Sequence, residues 1–273
     1  MLRIHHIVTG ELESSLDVSL LGSGAAPGLS REEVLPFGFR DDIERRDGSL
    51  HEGVMVPVPV WLIEGAETLT LIDSGLGSVE HVQEMQARYG IEFVASRTEE
   101  QDVVAGLVAH GISPADVERV VLTHLHFDHV GGVETFENSR LTVQREEIAY
   151  GLAPPRWATF YYPEDARRLH AVADRFEVIE GDVELEPGLR LVKVGGHTPG
   201  CMATIVDTEA GRVCLTSDIA YNYRNIELDW PPGAFWNLEQ EMDGLRRLRS
   251  LADVLVPQHD WKVREIYPDG VIG

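Results

Sequence analysis

Four potential metal ligands lie within six residues, between Thr123 and Gly132. They are His124, His126, Asp128 and His129, and they follow the apolar run 120–122. Imidazoles and carboxylates are the ligands that zinc-like divalent metals prefer. Because side chains alternate along a strand, the first two histidines can converge on one ion, and after a turn the other two residues can face a second. The spacing therefore predicts a site for two metal ions.

Three further candidate ligands are scattered along the chain. His197 follows the apolar segment 189–194, Asp218 follows 212–216, and His259 follows 253–257. Each segment has the pattern of a buried strand, and strand ends on one edge of a sheet can bring distant ligands together. The alternative interpretation of the motif, a histidine-rich surface loop, gives no reason for these additional ligands.

The order His124-x-His126-x-Asp128-His129, then His197, Asp218 and His259, resembles the metallo-β-lactamase superfamily over about residues 54–260. The resemblance implies an α/β (α+β) fold, a four-layer αβ/βα sandwich with two mixed sheets face to face and helices outside. It also implies two divalent metal ions as cofactors, with zinc expected. One ion would take His124, His126 and His197; the other would take Asp128, His129 and His259. Asp218 would bridge the two ions.

Within that superfamily, Tyr221 points to one branch. It lies three residues after Asp218, a spacing that resembles the N-acyl-homoserine lactonases, in which the matching tyrosine reaches the lactone carbonyl. The phrase His-Leu-His-Phe-Asp-His at 124–129 is also common in that branch. Cys201 departs from the histidine often found there, although that position is not a ligand. The alternative for Tyr221 is a tyrosine that only packs in a loop.

The resemblance implies a dinuclear metal-dependent hydrolase that opens a lactone ring, with N-acyl-homoserine lactone, a quorum signal, as the expected substrate. Two metals lower the pKa of a bound water, Tyr221 would stabilise the developing oxyanion, and Asp128 would deliver a proton to the leaving alkoxide. One alternative is hydrolysis of another lactone, a carboxylic ester or a cyclic amide. Two others are an iron persulfide dioxygenase with one metal and a non-catalytic scaffold.

Composition restricts the partners. The 273 residues carry a formal net charge of −23, which repels phosphate backbones and argues against nucleic acid. No stretch is long and apolar enough to cross a membrane, and the N-terminus lacks the apolar core of a signal peptide. Two cysteines do not form a disulfide framework. We therefore expect one domain over 1–273 and a cytoplasmic, reducing location.

Two segments read as loop insertions over the site, at 22–53 and near 151–170. Aromatic side chains in such loops, and beside the motif, are typical of an apolar substrate groove. The candidates for holding the substrate are Phe127, Trp157, Phe160, Tyr221 and Trp236. The alternatives are that these rings pack the loops onto the core or form a subunit contact in a homodimer.

The remaining pattern predicts the elements that position the motif. Segments 54–64 and 67–73 read as a strand pair, and 79–89 and 99–110 read as helices. Thr98 and Gln101 fit a capping box, and Ser113 fits the cap of a short helix that leads into the motif strand. Asp73, at the end of its strand, is expected either to support the metal site from outside or simply to form a turn.

Overall fold

The computed structural model describes residues 1–20, 30, 33, 35–45, 48–90, 93–155, 158 and 160–273. Within these ranges, the strands are β1 (Arg3–Ser14), β2 (Phe39–Glu44), β3 (Leu50–Glu64), β4 (Thr70–Ile72), β5 (Ala95–Ser96), β6 (Arg119–Val121), β7 (Arg140–Gln144), β8 (Phe176–Ile179), β9 (Val183–Glu186), β10 (Leu189–Lys193), β11 (Met202–Thr208), β12 (Gly211–Leu215), β13 (Val254–Val256) and β14 (Val271–Ile272). The helices are α1 (Leu16–Ser19), α2 (Val79–Tyr89), α3 (Val103–Ala109), α4 (Phe127–Val130), α5 (Arg145–Leu152), α6 (Pro163–Ala171), α7 (Tyr223–Leu228), α8 (Leu238–Leu251) and α9 (Lys262–Ile266). Short 3-10 turns occur at Glu99–Gln101, Pro114–Asp116, Val133–Thr135, Ala173–Arg175 and Ser217–Ile219.

The strands of the described residues form two mixed sheets. The first runs in the order β14-β1-β3-β4-β6-β7-β8, with β2 paired to β3 and β5 paired to β1. The second runs β13-β12-β11-β10-β9. In the first sheet β4, β6, β7 and β8 are parallel neighbours. In the second, β12 is parallel to β13, and β10 has the same direction because β11 is antiparallel to both β10 and β12.

This topology gathers the chain ends that carry the motifs. The carboxyl ends of strands with the same direction lie at one edge of a sheet, which is where α/β proteins commonly place their sites. The loops after β4 and β6 therefore leave the first sheet together, and those after β10, β12 and β13 leave the second together. The candidate ligands lie in these loops.

The two sheets pack face to face, and helices cover their outer faces. The core between the sheets includes Trp61 and Ile72 from the first and Leu191 and Val213 from the second. Helices α3 and α6 cover the outside of the first sheet, and Leu245 of α8 packs against the outside of the second. The predicted four-layer αβ/βα sandwich is confirmed.

Several local predictions agree with the structure. Strands β3 and β4 pair as the antiparallel hairpin expected, and α2 has the predicted bounds, with Ser78 as its N-cap. The segment predicted as one helix at 99–110 is instead a 3-10 turn followed by α3, because the Asp102 side chain accepts hydrogen bonds from Val104 and Ala105 and starts a new helix. The Thr98–Gln101 capping box is present.

The predicted loop insertions need correction. The described part of 22–53 contains β2 and the first residues of β3, which pair as an antiparallel hairpin. Most residues of β2 are charged and exposed, so the sequence has no apolar pattern that would predict this strand. An edge strand does not need such a pattern. The segment 151–170 likewise contains most of α6, which begins at Pro163, a favoured first helical residue.

In the described ranges, no helix has the length and hydropathy needed for a membrane span.

The motif loop is seated directly on the loop after β4. A Cβ atom at Gly131 would lie 2.1 Å from the Leu76 carbonyl oxygen and 2.8 Å from that of Gly75. The carbonyl of His129 accepts hydrogen bonds from both the amide and the hydroxyl of Ser74, at 2.8 and 2.9 Å. These contacts leave no room for a side chain at position 131 and fix the height of the motif above the sheet.

We predict that Gly131→Ala lowers the free energy of unfolding by about 3 kcal/mol, the upper end of the cost of overpacking a well-packed site. Denaturant unfolding measures this loss. Gly111→Ala is the control: its φ is +73° and no described atom lies within 4 Å of the added Cβ. Backbone strain alone should lower its free energy of unfolding by only about 1 kcal/mol. Equal losses in the two variants would contradict the close approach.

Candidate metal centre

The loops after four strands place seven potential ligands in one buried cluster. The motif loop follows β6, the His197 turn follows β10, the Asp218 turn follows β12, and His259 follows β13. The structure brings together all seven side chains that the sequence singled out as metal ligands, and all are buried. They fall into two groups, each of which could hold a metal ion.

The first donor group consists of His124, His126 and His197, together with Asp218. The Nδ1 atom of His126 lies 3.0 Å from the Nε2 atoms of both His124 and His197. One oxygen of Asp218, Oδ2, lies 3.4 Å from His197 Nε2 and 3.8 Å from His124 Nε2. Four nitrogen and oxygen atoms therefore surround one small space.

The second donor group consists of Asp128, His129 and His259. The Oδ2 atom of Asp128 lies 3.6 Å from His129 Nε2 and 3.7 Å from His259 Nε2. The other oxygen of Asp218, Oδ1, lies 3.2 and 3.3 Å from the same two nitrogens. Asp218 therefore presents one oxygen to each group, which is the geometry of a bridging carboxylate.

The donor separations fit metal binding. Ligand atoms about 2.0–2.1 Å from a tetrahedral zinc ion lie roughly 3.3 Å from one another, and the distances in both groups scatter around that value. Two of the inward-facing atoms, His129 Nε2 and Asp218 Oδ1, are buried and make no hydrogen bond within the described residues. Buried polar atoms are normally satisfied, and a bound cation would satisfy both of these atoms. The residues fit a dinuclear metal centre.

The outward-facing nitrogens of several ligands are held in place. His129 Nδ1 lies 2.8 Å from Asp73 Oδ2, and His197 Nδ1 and His259 Nδ1 each lie 2.8 Å from a backbone carbonyl, of Ala234 and Pro57 respectively. An acceptor on the outer nitrogen keeps the proton there and leaves the inner lone pair for a metal. Asp73 thus holds a ligand from outside, the first of the two roles considered for it.

Electrostatics favour the ionisation states that metal ligands need at His124, His126 and Asp218, whereas the carboxylates around His129 favour its protonated form, so a metal ion has to displace that proton. Burial and neighbouring imidazoles lower the pKa of His124 and His126 well below the usual value, so both are neutral. Burial opposes ionisation of Asp218, but the surrounding histidines, His129 foremost, outweigh it and hold its pKa well below the usual range. Burial also lowers the pKa of His129, but Asp218, Asp128 and Asp73 outweigh burial and raise it well above the usual value.

A cleft of about 480 Å³ opens beside the second donor group. The cleft is lined by Leu12, Glu13, Ser14, Val18, Val56, Phe93, His126, Phe127, Asp128, Phe160, Asp218, Tyr221 and His259. Tyr221 is buried and lines this cleft together with Asp218; burial and this carboxylate raise the pKa of the phenol well above its usual value. A neutral phenol at the ligand cluster is a hydrogen-bond donor for a substrate in the cleft.

The aromatic residues predicted to bind substrate separate into different places. Phe127 and Phe160 line this cleft with Tyr221. Trp236 lies in a second cavity of about 430 Å³ beside His126 and His197, and it is 41% exposed. The structure therefore does not bring Trp236 together with the other rings. Trp157 lies outside the described residues.

Sequence reasoning missed Glu147 of α5. It is fully buried and accepts hydrogen bonds from the motif loop and from the His197 turn. Two glutamates lie in the first turn of α5, and an acidic first turn is common in helices, so the sequence gives no signal as to which of them is buried. Cys201 is buried but belongs to neither donor group, as expected from the sequence. Its thiol faces the Ser217 hydroxyl at 3.8 Å.

Comparisons with known proteins indicate the same superfamily as the motif. The metallo-beta-lactamase superfamily model matches residues 53–259. An N-acyl homoserine lactonase of Bacillus cereus is 30% identical over 75% of this chain and 81% of its own length. An N-acyl homoserine lactonase of Azorhizobium caulinodans is 32% identical over 72% of this chain and 78% of its own length.

Solved structures share the fold. An N-acyl homoserine lactone hydrolase, with the product N-hexanoyl-L-homoserine at its catalytic metal centre, has a TM-score of 0.75 at 24% identity, over 97% of this chain and 95% of that one. A dizinc quorum-quenching lactonase in complex with a product has a TM-score of 0.69 at 18% identity, over 95% of this chain and 88% of that one. Fold and site together define a protein with a dinuclear metal centre at the edge of an αβ/βα sandwich. The chain belongs to the metallo-beta-lactamase superfamily.

We predict that the isolated protein carries close to two divalent metal ions per chain and that Asp218→Ala loses metal from both groups. Without the shared carboxylate, two cations would repel each other with nothing between them. Elemental analysis of the unmodified protein and the variant gives both numbers. A variant that still holds two ions per chain would show that Asp218 does not bridge.

Proposed function

We propose that this protein is a metal-dependent hydrolase that opens the ring of N-acyl-homoserine lactones. The observation that carries the proposal is the position of Tyr221, which lines an apolar-walled cleft together with the shared carboxylate Asp218. Relatives named N-acyl homoserine lactonases, at 30–32% identity over about three quarters of the chain, support the same reaction. The wider alternative is a different lactone or ester in the same cleft.

The two donor groups would hold the ions in the manner described above, with His124, His126 and His197 on one side of Asp218 and Asp128, His129 and His259 on the other. Divalent cations bound there supply a Lewis acid and a water that ionises near neutral pH; zinc is the metal that this set of imidazoles and carboxylates suits. The hydrolysis then needs no nucleophilic side chain from the protein.

The contacts of Tyr221 support its proposed role in binding the substrate carbonyl. Its ring lies against the imidazole of His259, with centroids 5.2 Å apart, and against that of His197 at 5.9 Å. The ring thus contacts one histidine of each donor group, and these contacts hold Tyr221 at the cleft wall. A neutral phenol donates a hydrogen bond to an oxyanion and so stabilises the transition state more than the ground state.

The contacts of Asp128 support its proposed role in proton transfer. Its carboxylate faces His129 and His259 and also lines the cleft, with 11% of its side chain exposed. Ring opening releases an alkoxide that needs a proton, and a carboxyl group within reach of that oxygen is a suitable donor. Burial raises the pKa of Asp128, although His129 and His259 oppose this shift.

The cleft walls suit a small polar head with an apolar tail. The ligand residues and Tyr221 form its polar end, while Leu12, Val18, Val56, Phe93, Phe127 and Phe160 supply apolar surface. Leu12 is paired with Val56, one residue from Pro57, whose carbonyl holds His259. The apolar wall therefore begins beside the ligands and continues along β1 and β3.

Location and partners form a smaller part of the proposal. Both cysteines, Cys201 and Cys214, are free and buried, which suits the reducing cytoplasm that we propose as the location. The absence of a nucleic-acid partner stays a prediction that the net charge of −23 supports, and a homodimer also stays a prediction. The substrate is a small molecule that fits the cleft.

Proton release from a series of acyl-homoserine lactones tests the proposed function, because each ring opening produces a carboxylic acid. We expect kcat/KM to rise with acyl length, since each buried methylene contributes about 0.8 kcal/mol, roughly fourfold. Phe160→Ala should flatten this rise, whereas Phe37→Ala, an exposed ring absent from the lining of both cavities, should not. No proton release from any member of the series would overturn the proposal.

Tyr221→Phe keeps the ring and removes only the hydroxyl. Losing an oxyanion donor costs about 2.7–4 kcal/mol at most, and water can replace part of a phenol at a cleft wall. We therefore predict a fall in kcat/KM of roughly tenfold to a hundredfold, with both metal ions retained. Unchanged kinetics on every lactone hydrolysed would assign Tyr221 to packing alone.

A further inference from the structure

Glu147 is a buried carboxylate with no role in the scheme above. It lies in the first turn of α5, is completely shielded from solvent, and has no ion-pair partner among the described residues. A buried carboxylate without a cation is costly unless hydrogen bonds compensate it. Four donors do so here, and all four lie in loops around the metal centre.

The donors come from two ligand loops and one cleft segment. The Oε1 atom accepts a hydrogen bond from the amide of Leu125, between His124 and His126, at 3.0 Å, and another from the Tyr161 hydroxyl. The Oε2 atom accepts from the Thr198 hydroxyl at 2.7 Å and from the Gly200 amide at 3.0 Å. One side chain therefore connects the motif loop to the turn that carries His197.

Close packing makes this connection rigid. A Cβ atom at Gly200 would lie 2.5 Å from the Glu147 Cβ and 2.6 Å from its backbone nitrogen. At the other end of α5, a Cβ atom at Gly151 would lie 2.6 Å from a methyl group of Leu125. The helix is thus pressed onto both ligand loops, and the carboxylate lies where they meet.

Tyr161 extends the connection to the substrate cleft. Its ring packs against His126, with centroids 4.6 Å apart, while its hydroxyl reaches Glu147. The next residue toward the N-terminus, Phe160, lines the cleft and has a left-handed backbone, with φ of +62°. Such a conformation is strained for phenylalanine and persists only where neighbouring contacts hold it.

We propose that Glu147 is a positioning residue for the first donor group, and that Tyr161 fastens the Phe160 segment of the cleft to the same carboxylate. Glu147 belongs to neither donor group and lines neither cavity. It sets the distance between His126 and His197 by holding the loops on which they lie. The second half of this inference, concerning the cleft, rests on the proposed function; the first half rests only on the metal centre.

The test compares Glu147→Gln with Glu146→Gln. A glutamine at 147 has one carbonyl oxygen for two pairs of donors, so its NH2 group must face the donors of the other pair. Glu146 is the matched control, since it precedes Glu147 in the same helix and is more than half exposed beside Lys193. Competition with a chromophoric chelator gives the dissociation constants of both zinc ions, and circular dichroism reports folding.

In folded Glu147→Gln we expect one zinc ion to bind about tenfold to a hundredfold more weakly, the range known for groups that orient metal ligands. The other ion should change less, and Glu146→Gln should match the unmodified protein. Unchanged metal affinity in folded Glu147→Gln, or an equal weakening of both ions together with a loss of folding stability, would overturn the positioning role.

Tyr161→Phe and Thr198→Val keep the test decisive if Glu147→Gln does not fold. Each removes one of the four donors and should weaken the same ion by up to about tenfold; unchanged affinity in both would overturn the proposal. Tyr161→Phe should also raise KM for long-chain lactones relative to short-chain ones, and an unchanged ratio would remove the link to the cleft. Metal affinity is measured without substrate, so a failure of the lactonase proposal leaves this reading intact.

Discussion

Two groups of ligands share one carboxylate, Asp218, in a buried space at the edge of both sheets. Each of its oxygens lies within 3.8 Å of two imidazole nitrogens of a different group. Two cations in such a space repel each other, and a bridging carboxylate is the anion that can offset this repulsion. The arrangement is possible only if loops from both sheets arrive at the same point. The order of the strands brings these loops to one edge. The packing of the helices and the hydrogen bonds to the outer nitrogens of the ligands then hold the loops in place.

The backbone is strained at two residues in the loops that meet at the metal centre. Asp73 and Ser217 both have left-handed backbones, with φ of +63° and +51°, and such conformations concentrate at functional sites. They are joined behind the centre: the Ser217 hydroxyl donates to that of Thr123, which in turn donates to Asp73, at 2.9 and 3.0 Å. Asp73 then holds His129. This chain of hydrogen bonds links the two sheets beneath the metal ligands.

The seven ligands could be predicted from the sequence because metal binding needs particular side chains in a particular order, and the sandwich is implied by the resemblance of that order to a known family. Each ligand also follows an apolar strand, and such strands have a clear pattern. Glu147 could not be found in this way: its burial follows from the docking of α5 onto two loops distant in sequence, and Glu146 beside it has the same chemistry. Trp236 shows the same limit, since composition groups it with Phe160 while the chain path places it in another cavity. The charged strand β2 lacked an apolar pattern because it lies at an edge.

The shared carboxylate is tested most directly by anomalous X-ray scattering from crystals of the protein grown with zinc. We predict two peaks at the centre, one among His124, His126 and His197 and the other among Asp128, His129 and His259, with an oxygen of Asp218 next to each. A single fully occupied peak, or two peaks of which only one contacts Asp218, would contradict the bridge.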